Sequence, residues 1–481
     1  MAEGLQHAGE FRIERCELIT SSGMMIDLKA SIMGLTLFED ISSLTVSGSI
    51  IVADSVNMVS HGPIIGQEYL YLKIKTPGFT AAGDGVIDFS ENVFLVHSLA
   101  AREKIMNNIQ VYSLNFVSQE LIKNQRLKVV QSLTASWSDI VKKMLTDTSY
   151  LDTKKNIVIE PSAGIKKFVS PNIRPLDVVK LAAKQAVSTF KGQSTYLFYE
   201  TLKGFNFRTL ASLYNVASQL EYTTYVPGTN IVEEGRPGAG YIDVLRDLQT
   251  ILSYTIISNN DNIVNYRSGM YGSKLIVHDI IGKNYTTDVY NYHDNFKNEH
   301  HIVGGVTTED TEYPLASGLY VNEKNQRVSD FHARTFLMPT SKTAENDAQH
   351  NTDINNTPYR RYDPENWVQS RNSQMIQLEN AFNINIEVHG NTLINVGDIV
   401  TVNLPYTGVV KGDTKYDRFY QGRFLIKTIR HDFNVLTKPV QHTMSMNLVK
   451  DSLEEQIFAP DDNYEPSAKE SGIIEEYDYV N

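Results

Sequence analysis

The stretch YSLNFV, Tyr112–Val117, and the stretch MSMNLV, Met444–Val449, decide how this chain is read. Tyr112, Leu114 and Phe116 alternate with Ser113 and Asn115, the period of two that marks a half-buried strand. The second stretch repeats that pattern 332 residues later, with Met444, Met446 and Leu448 alternating with Ser445 and Asn447. Two further anchors precede each copy in the same order. Ile65-Gly66-Gln67 opens EYLYLKI and Val396-Gly397-Asp398 opens IVTVNL, with the glycines 331 apart. Phe94–Leu99 (FLVHSL) answers Phe424–Ile429 (FLIKTI) at an offset of 330. One match would mean little, because alternating strands resemble one another. Three in order at nearly constant offset point to a structural duplication: two similar β domains in one chain.

The rest of the pattern fits around these domains. FRIERCEL, MMIDLKA, LTVSGSIIV and EYLYLKI read as strands of the first, separated by turn clusters such as SSG, TPG and MNN. EYLYLKI is apolar on both faces, as a barrel wall covered from outside would be. After Val117 the period changes. Ser136 and Asp139 form a capping-box signature ahead of Trp137, Ile140, Val141, Met144 and Leu145 at helical spacing. Pro175 opens a second helix carrying Leu176, Val179, Ala183, Ala186 and Val187. With NIVIEP, TYLFYE and GFNFRTL as strands, the latter two around a Lys203-Gly204 turn, this is a small α/β domain. A helical segment from about Val244 leads to SGMYGSKLIVHD and TTDVYNYHDNF, read as a hairpin. Residues 339–360 read as an exposed loop. A helix then begins at Asp363-Pro364 with Trp367, Arg371, Met375, Leu378 and Phe382 on one face, before the strands of the second β domain.

Composition narrows the function. The chain of 481 residues carries a formal charge of −12, but Asp451–Asn481 alone holds ten Asp/Glu and one Lys. The preceding 450 residues hold 43 Lys+Arg against 46 Asp+Glu, without the basic excess of a nucleic-acid-gripping surface. In the acidic tail, SGIIEEYDYVN places Ile473, Ile474, Tyr477, Tyr479 and Val480 among the acids; the segment is either a solvated end or one that orders on a partner. Cys16 is the single cysteine, which excludes an internal disulfide and argues against a cysteine zinc site. MAEGLQHAGEF has neither the basic nor the apolar region of a secretory signal, and no apolar run approaches the ~18 residues of a membrane span. The expectation is a soluble protein made in the cytosol, without stable membrane insertion.

No catalytic or cofactor signature competes with the repeat. HDNFKNEHH offers His293, Glu299, His300 and His301, but lacks the i, i+4 spacing of a helical metal site and reads as a polar loop or interface. Asp279 in LIVHD and Asp432 in RHDF could be paired for glycoside hydrolysis, which needs two carboxyl groups about 5–9 Å apart in a cleft. At strand ends such residues more commonly bond turns and neighbouring strands. There is no G-x-S-x-G and no dinucleotide fingerprint, and GRPGAG at Gly235–Gly240 lacks the Gly-Lys-Ser/Thr of a P-loop and reads as a linker. Trp137 and Trp367 occupy core positions. The expectation is no catalytic residue, no cofactor and no metal.

A trimer of a duplicated chain presents six similar β units, so one face can match a sixfold ring and the other a threefold partner. In GSIIVADSVNMVSHGPIIGQEYLYLKI, SPNIRPLDVVKLAAKQAV, YLFYETLKGFNFRTLASL, SGMYGSKLIVHD, HGNTLINVGDIVTVNLP and GRFLIKTIRHDF the sequence resembles the baseplate hub proteins of contractile-tailed bacteriophages, which are related to the hub region of type VI secretion spike proteins. The resemblance is scattered over about residues 10 to 450. It implies a mixed α+β, β-rich fold with two similar tube-like antiparallel β-barrel domains, separated by the small α/β domain and a long insertion. The corresponding boundaries are 1–117 for the first barrel, 118–215 for the α/β domain, and 240–295 with 364–450 for the second barrel. Residues 296–363 are the insertion and 451–481 the acidic tail. The resemblance further implies a homotrimer in the virion tail baseplate, between the hexameric tail tube protein and a trimeric central spike protein, touching surrounding baseplate proteins. It would bind no nucleic acid specifically, although DNA could pass through its channel. The alternative is a tail-associated cell-wall (peptidoglycan) hydrolase using carboxylates of the insertion or the α/β domain.

Overall fold

Alternation along the first 118 residues folds as the period of two requires. In the computed structural model, which describes residues 7–77, 85–106, 109–190, 192–224, 244–258, 261–303, 313–314, 324, 326–340, 364–380, 382–405 and 416–454, this part is almost wholly strand. Its strands are β1 (Arg12–Ile19), β2 (Met25–Asp27), β3 (Ile32–Asp40), β4 (Ser47–Asp54), β5 (Tyr69–Lys75), β6 (Val86–Met106) and β7 (Ile109–Ser118), with the single-turn helix α1 (Met58–His61) after β4. Ile50, Val52, Tyr112, Leu114 and Phe116 point into one core with Leu35, Leu37, Leu70, Leu72 and Phe94.

The α/β domain follows as α2 (Gln119–Arg126), β8 (Ser132–Ala135), α3 (Trp137–Thr146), β9 (Asn156–Ile159), β10 (Lys166–Val169), α4 (Pro175–Gln185), β11 (Tyr196–Thr201), β12 (Gly204–Thr209) and α5 (Leu210–Tyr214). The Ser136 hydroxyl accepts the Asp139 N–H at 3.2 Å, capping α3. Helices α3 and α4 then bury Ile140, Val141, Met144, Leu176 and Val179 against Tyr196, Phe198, Phe205 and Phe207 of the β11–β12 hairpin.

The remaining elements are β13 (Ser218–Thr224), α6 (Val244–Leu248), β14 (Thr250–Ser258), α7 (Asn262–Arg267), β15 (Gly272–Asp279), β16 (Asn284–Asn291), α8 (Tyr292–Asn295), β17 (Tyr313–Pro314), β18 (Arg334–Thr340), α9 (Val368–Asn380), β19 (Phe382–His389), β20 (Ile399–Pro405), β21 (Tyr416–Asn434), β22 (Gln441–Lys450) and β23 (Ser452–Leu453). Strands β21-β20-β13-β14-β19-β22 are neighbours in that order, and β22 pairs back onto β21, closing a six-stranded barrel. The first unit runs β1-β5-β6-β7-β4-β3, and the outer edge of β3 pairs with β21. The two units are joined in one continuous 13-stranded sheet, and the second closes on itself by a strand ladder.

The duplication is visible in the ladders. Strands β5-β6-β7-β4-β3 and β20-β21-β22-β19-β14 have the same order. Asn115 stands opposite Ser98 and Ser49, and Asn447 opposite Thr428 and Asn385. One step before each, the register slips around one residue, His97 in β6 and Lys427 in β21. Such a bulge adds twist at the same point of both units. Gly66 and Gly397 turn into β5 and β20 with φ of +90° and +88°, which a residue with a Cβ would strain to adopt. The duplication breaks at one strand: β13 runs parallel to both β20 and β14, whereas β1 runs antiparallel to β5.

Two expectations about the second half change. Of residues 240–295, only β14 enters the barrel ladder. The hairpin β15–β16 pairs with β18, from within 296–363, in a separate three-stranded sheet. The reason is the apolar stripe of α9 and the residue before it: Trp367 and Val368 cover Leu275 and Val277 of β15. Phe382, expected on the helix, begins β19, because α9 ends at Asn380. Most of the expected polar loop, the Gly235–Gly240 linker and residues 455–481 of the acidic tail lie outside the described residues.

Candidate interfaces between the units

Three buried polar nodes hold the units together. At the β3–β21 seam, Gly34–Asp40 runs antiparallel to Thr428–Asn434. Glu39, on β3, meets His431, on β21, at 3.0 Å, and the other ring nitrogen of His431 lies 3.2 Å from His442 on β22. The second Glu39 oxygen accepts the Leu202 N–H at 3.3 Å, tying the β11–β12 turn to the seam. His442 stacks on Phe433 at 4.0 Å, and burial, followed by the neighbouring His431, pushes its pKa well below the ordinary value. His442 is therefore neutral, as a fully buried imidazole without a carboxylate partner should be.

The second node joins the α/β domain to the first β unit. Lys155 lies 2.7 Å from Glu120 and 2.6 Å from Glu200. Glu200 also accepts the Val46 N–H at 2.9 Å and the Ser118 hydroxyl at 2.7 Å, so the residues just before β4 and β9, the end of β7 and β11 meet at one carboxylate. Thr153 donates to Glu120 at 2.7 Å. The third node fixes the chain just past β22. His301 lies 2.9 Å from Asp451 and 2.7 Å from the Phe296 carbonyl, while Asp451 also accepts the Ile302 N–H. Burial alone would lower the His301 pKa, but Asp451 and the carbonyl raise it to about 9.

The sequence-selected residues separate into structural roles. His293 is half-buried on α8, its pKa lowered chiefly by burial and then by Arg327. The Tyr290 hydroxyl donates to Glu299 at 2.9 Å, and burial raises the Glu299 pKa. His300 stacks on Phe190, and His301 pairs with Asp451. Among the described residues no group of three or more His, Cys, Asp or Glu is placed to hold a metal. Asp279 and Asp432 lie in different sheets. Asp279 accepts the N–H groups of Ile281 and Gly282 in the β15–β16 turn. Asp432 accepts the Thr36 hydroxyl at 2.8 Å across the seam and pairs with Arg430. Trp137 and Trp367 are buried.

Sequence reasoning missed Lys155, Glu120, Glu200, Glu39, His431, His442 and Asp451. One signal was available: Glu200 sits in YLFYET, a strand whose six residues are all buried. A carboxylate there needs a partner. A further feature is a polar cavity of about 340 Å³ between the β11–β12 hairpin and the turn before β20, lined by Tyr199, Lys203, Arg208, Asn395 and Asp398 among others.

No family model matches the chain. It is 21% identical over 403 residues to the probable baseplate hub protein gp334 of Vibrio phage KVP40, covering 82% of this chain and 85% of that one. Among solved structures, a tail protein from Neisseria meningitidis MC58 aligns with a TM-score of 0.47 at 11% identity, over 91% of this chain and 96% of that one. The 43 kDa tail protein of prophage MuSo2 from Shewanella oneidensis aligns with a TM-score of 0.49 at 8% identity, over 91% and 98%. Along about four-fifths of its length the chain is thus similar to a phage baseplate hub protein, the family that its quoted stretches between about residues 10 and 450 resemble.

Proposed function

We propose that this chain is a structural subunit of a phage baseplate hub: a homotrimeric ring of pseudo-sixfold symmetry that adapts a hexameric tail tube to a trimeric central spike. The observation that carries the reading is the duplication itself. Two β units with the same strand order and the same register slip are joined edge to edge in one chain. Three chains therefore carry six such units, while the α/β domain and the β15–β16–β18 sheet occur once per chain and keep threefold symmetry. A ring of this kind leaves a central channel, and the near-neutral body would let DNA pass without trapping it. The similarity to a baseplate hub protein supports the same placement, in the virion tail, with the tube, spike and surrounding baseplate proteins as partners.

The role is mechanical. Asp279 and Asp432, the pair weighed for glycoside hydrolysis, bond a turn and the β3–β21 seam instead. The test is the solution mass of the purified chain with an image of the oligomer down its axis. A trimer with six peripheral lobes and an open centre, retained by immobilised tube or spike protein, is the expected result. A monomer, or a chain that degrades peptidoglycan, would overturn the proposal.

A further inference from the structure

The polar cavity between the β11–β12 hairpin and the turn before β20 serves no part of the hub reading. Its volume of about 340 Å³ is that of a small-molecule site, for which about 300–1,000 Å³ is usual. Its wall comes from β9, the β11–β12 hairpin, Gln219 at the start of β13 and the turn 393–398, all within the described segments.

Several polar groups of this wall have hydrogen-bonding capacity to spare. Tyr199 is 2% exposed, yet its hydroxyl makes no hydrogen bond among the described residues. That hydroxyl stands against Gly397, where a Cβ would come within 2.3 Å of it. Burial raises the Tyr199 pKa; Arg208 lowers it and Asp398 adds to the rise, so both charges act on this one phenol. One Asp398 oxygen accepts the Asn395 N–H at 2.9 Å, and the other accepts nothing among the described residues. Asn395 is 5% exposed; its Nδ2 donates to the Leu393 carbonyl at 3.0 Å, and its Oδ1 has no partner. Arg208 spends one N–H on the Ser212 carbonyl and Lys203 one on the Leu393 carbonyl, each at 3.1 Å. Buried polar groups are ordinarily satisfied, so those left over point to a ligand.

We propose that this cavity binds a neutral saccharide unit, a hexose or an N-acetylhexosamine. The wall offers donors from Arg208, Lys203 and the Tyr199 hydroxyl beside acceptors from Asp398 and Asn395. A phosphate or carboxylate ligand only accepts, and would bring its charge against the Asp398 carboxylate. A metal cation takes only acceptors, and would face Lys203 and Arg208. A sugar hydroxyl donates and accepts at once, and vicinal hydroxyls put both roles on adjacent carbons. An acid and a guanidinium acting on one phenol can satisfy such a pair together. Asp398 is the only carboxylate lining the cavity among the described residues, whereas glycoside hydrolysis takes two, so the site holds the sugar without cleaving it. The inference is independent of the trimer reading.

Isothermal titration calorimetry of the purified full chain tests it, with glucose, galactose, mannose, N-acetylglucosamine and N,N′-diacetylchitobiose as probes and inorganic phosphate and calcium chloride as the opposing arms. At least one sugar should bind saturably; tighter binding of the disaccharide marks a glycan chain as the source, equal binding a free sugar. Tyr199→Phe removes an oxygen without a hydrogen bond among the described residues and keeps the ring. It should weaken sugar binding about three- to tenfold, the worth of one neutral hydrogen bond. Asp398→Asn keeps an acceptor for the Asn395 N–H and should weaken binding about tenfold or more, as befits a bond to a charged group. Should Asp398→Asn fail to fold, Tyr199→Phe decides alone. A chain that binds none of the sugars, that binds phosphate or calcium in their place, or that as Tyr199→Phe binds sugar within about twofold of the parent overturns the proposal.

Discussion

Removing Lys155 tests whether the α/β domain is held to the first β unit through one buried charge cluster. The three side chains are at most 4% exposed. Burial works against the ammonium, but Glu200 and Glu120 outweigh it and hold the Lys155 pKa above its usual value. Glu200 is raised: burial dominates, Lys155 opposes it, and the like charge of Glu120 adds to it. Two carboxylates share one ammonium, so the second negative charge is the poorly compensated one. Lys155→Met keeps an apolar stem of similar length and leaves both carboxylates buried without a counter-ion. Breaking a buried pair from one side costs about 3–5 kcal/mol. At roughly 2–4 °C per kcal/mol for a unit of this size, melting should fall by about 6–20 °C. The pH dependence has a fixed sign. In the variant Glu200 loses the ammonium that opposes its raised pKa, so the folded state binds more protons than the unfolded chain and its stability falls as pH rises. The loss should be greater near pH 8 than near pH 5, where an ordinary carboxylate pKa of about 4 comes within reach. Thermal unfolding of the full chain, parent beside variant at both pH values, reads this directly. Adding Glu120→Gln and Glu200→Gln to the variant should restore part of the lost stability. A variant melting within about 1 °C of the parent near pH 8, or losing more near pH 5, would refute the reasoning.

Asp451→Asn addresses the His301 node: a folded pKa of about 9 lies above the unfolded value, so the stabilisation is complete below about pH 6.5 and lost as pH rises through about 9. The melting gap between parent and Asp451→Asn should therefore narrow between those values, and a gap that widens would count against the assignment. Gly397→Ala forces a Cβ at φ +88° to within 2.3 Å of the Tyr199 hydroxyl and should cost about 1–2 kcal/mol or more in urea unfolding. Gly66→Ala meets the same strain at φ +90°, with the nearest atom 3.2 Å away, and should cost less than Gly397→Ala. Glu39→Ala strips the partner from His431 and from the Leu202 N–H; with about 1–3 kcal/mol for each orphaned buried group, it should speed hydrogen exchange in β3 ahead of β4.

What was legible in the sequence was what repeats at short range. Alternation in YSLNFV and MSMNLV gave the strands, and the order of anchors gave the duplication, because each unit keeps its own sheet grammar within consecutive residues. The bulge at His97 and Lys427 was not legible, because both copies share it and their offset stays at 330 across it. Hidden were contacts made across long separations. Glu39 and His431 are 392 residues apart, and neither has a neighbour in sequence that announces the other. The same holds for β15, whose alternation is compatible with a barrel wall. Only the presence of Trp367 and Val368 opposite Leu275 and Val277 sends it to another sheet. β13 is hidden for a different reason: its parallel pairing is a choice of direction, and alternation carries no direction.

That parallel strand bears on how two units can be alike while the chain remains asymmetric. In the first unit the strand beside β5 is antiparallel, and β3 is left free to meet β21. In the second, β13 enters between β20 and β14 from the opposite direction and claims Thr250 and Ile251, the first two residues of β14. This closes the second barrel. The second barrel is thus completed by a strand with no antiparallel counterpart in the first unit, which is why the two units share strand order and register slip but not the way their edges are filled.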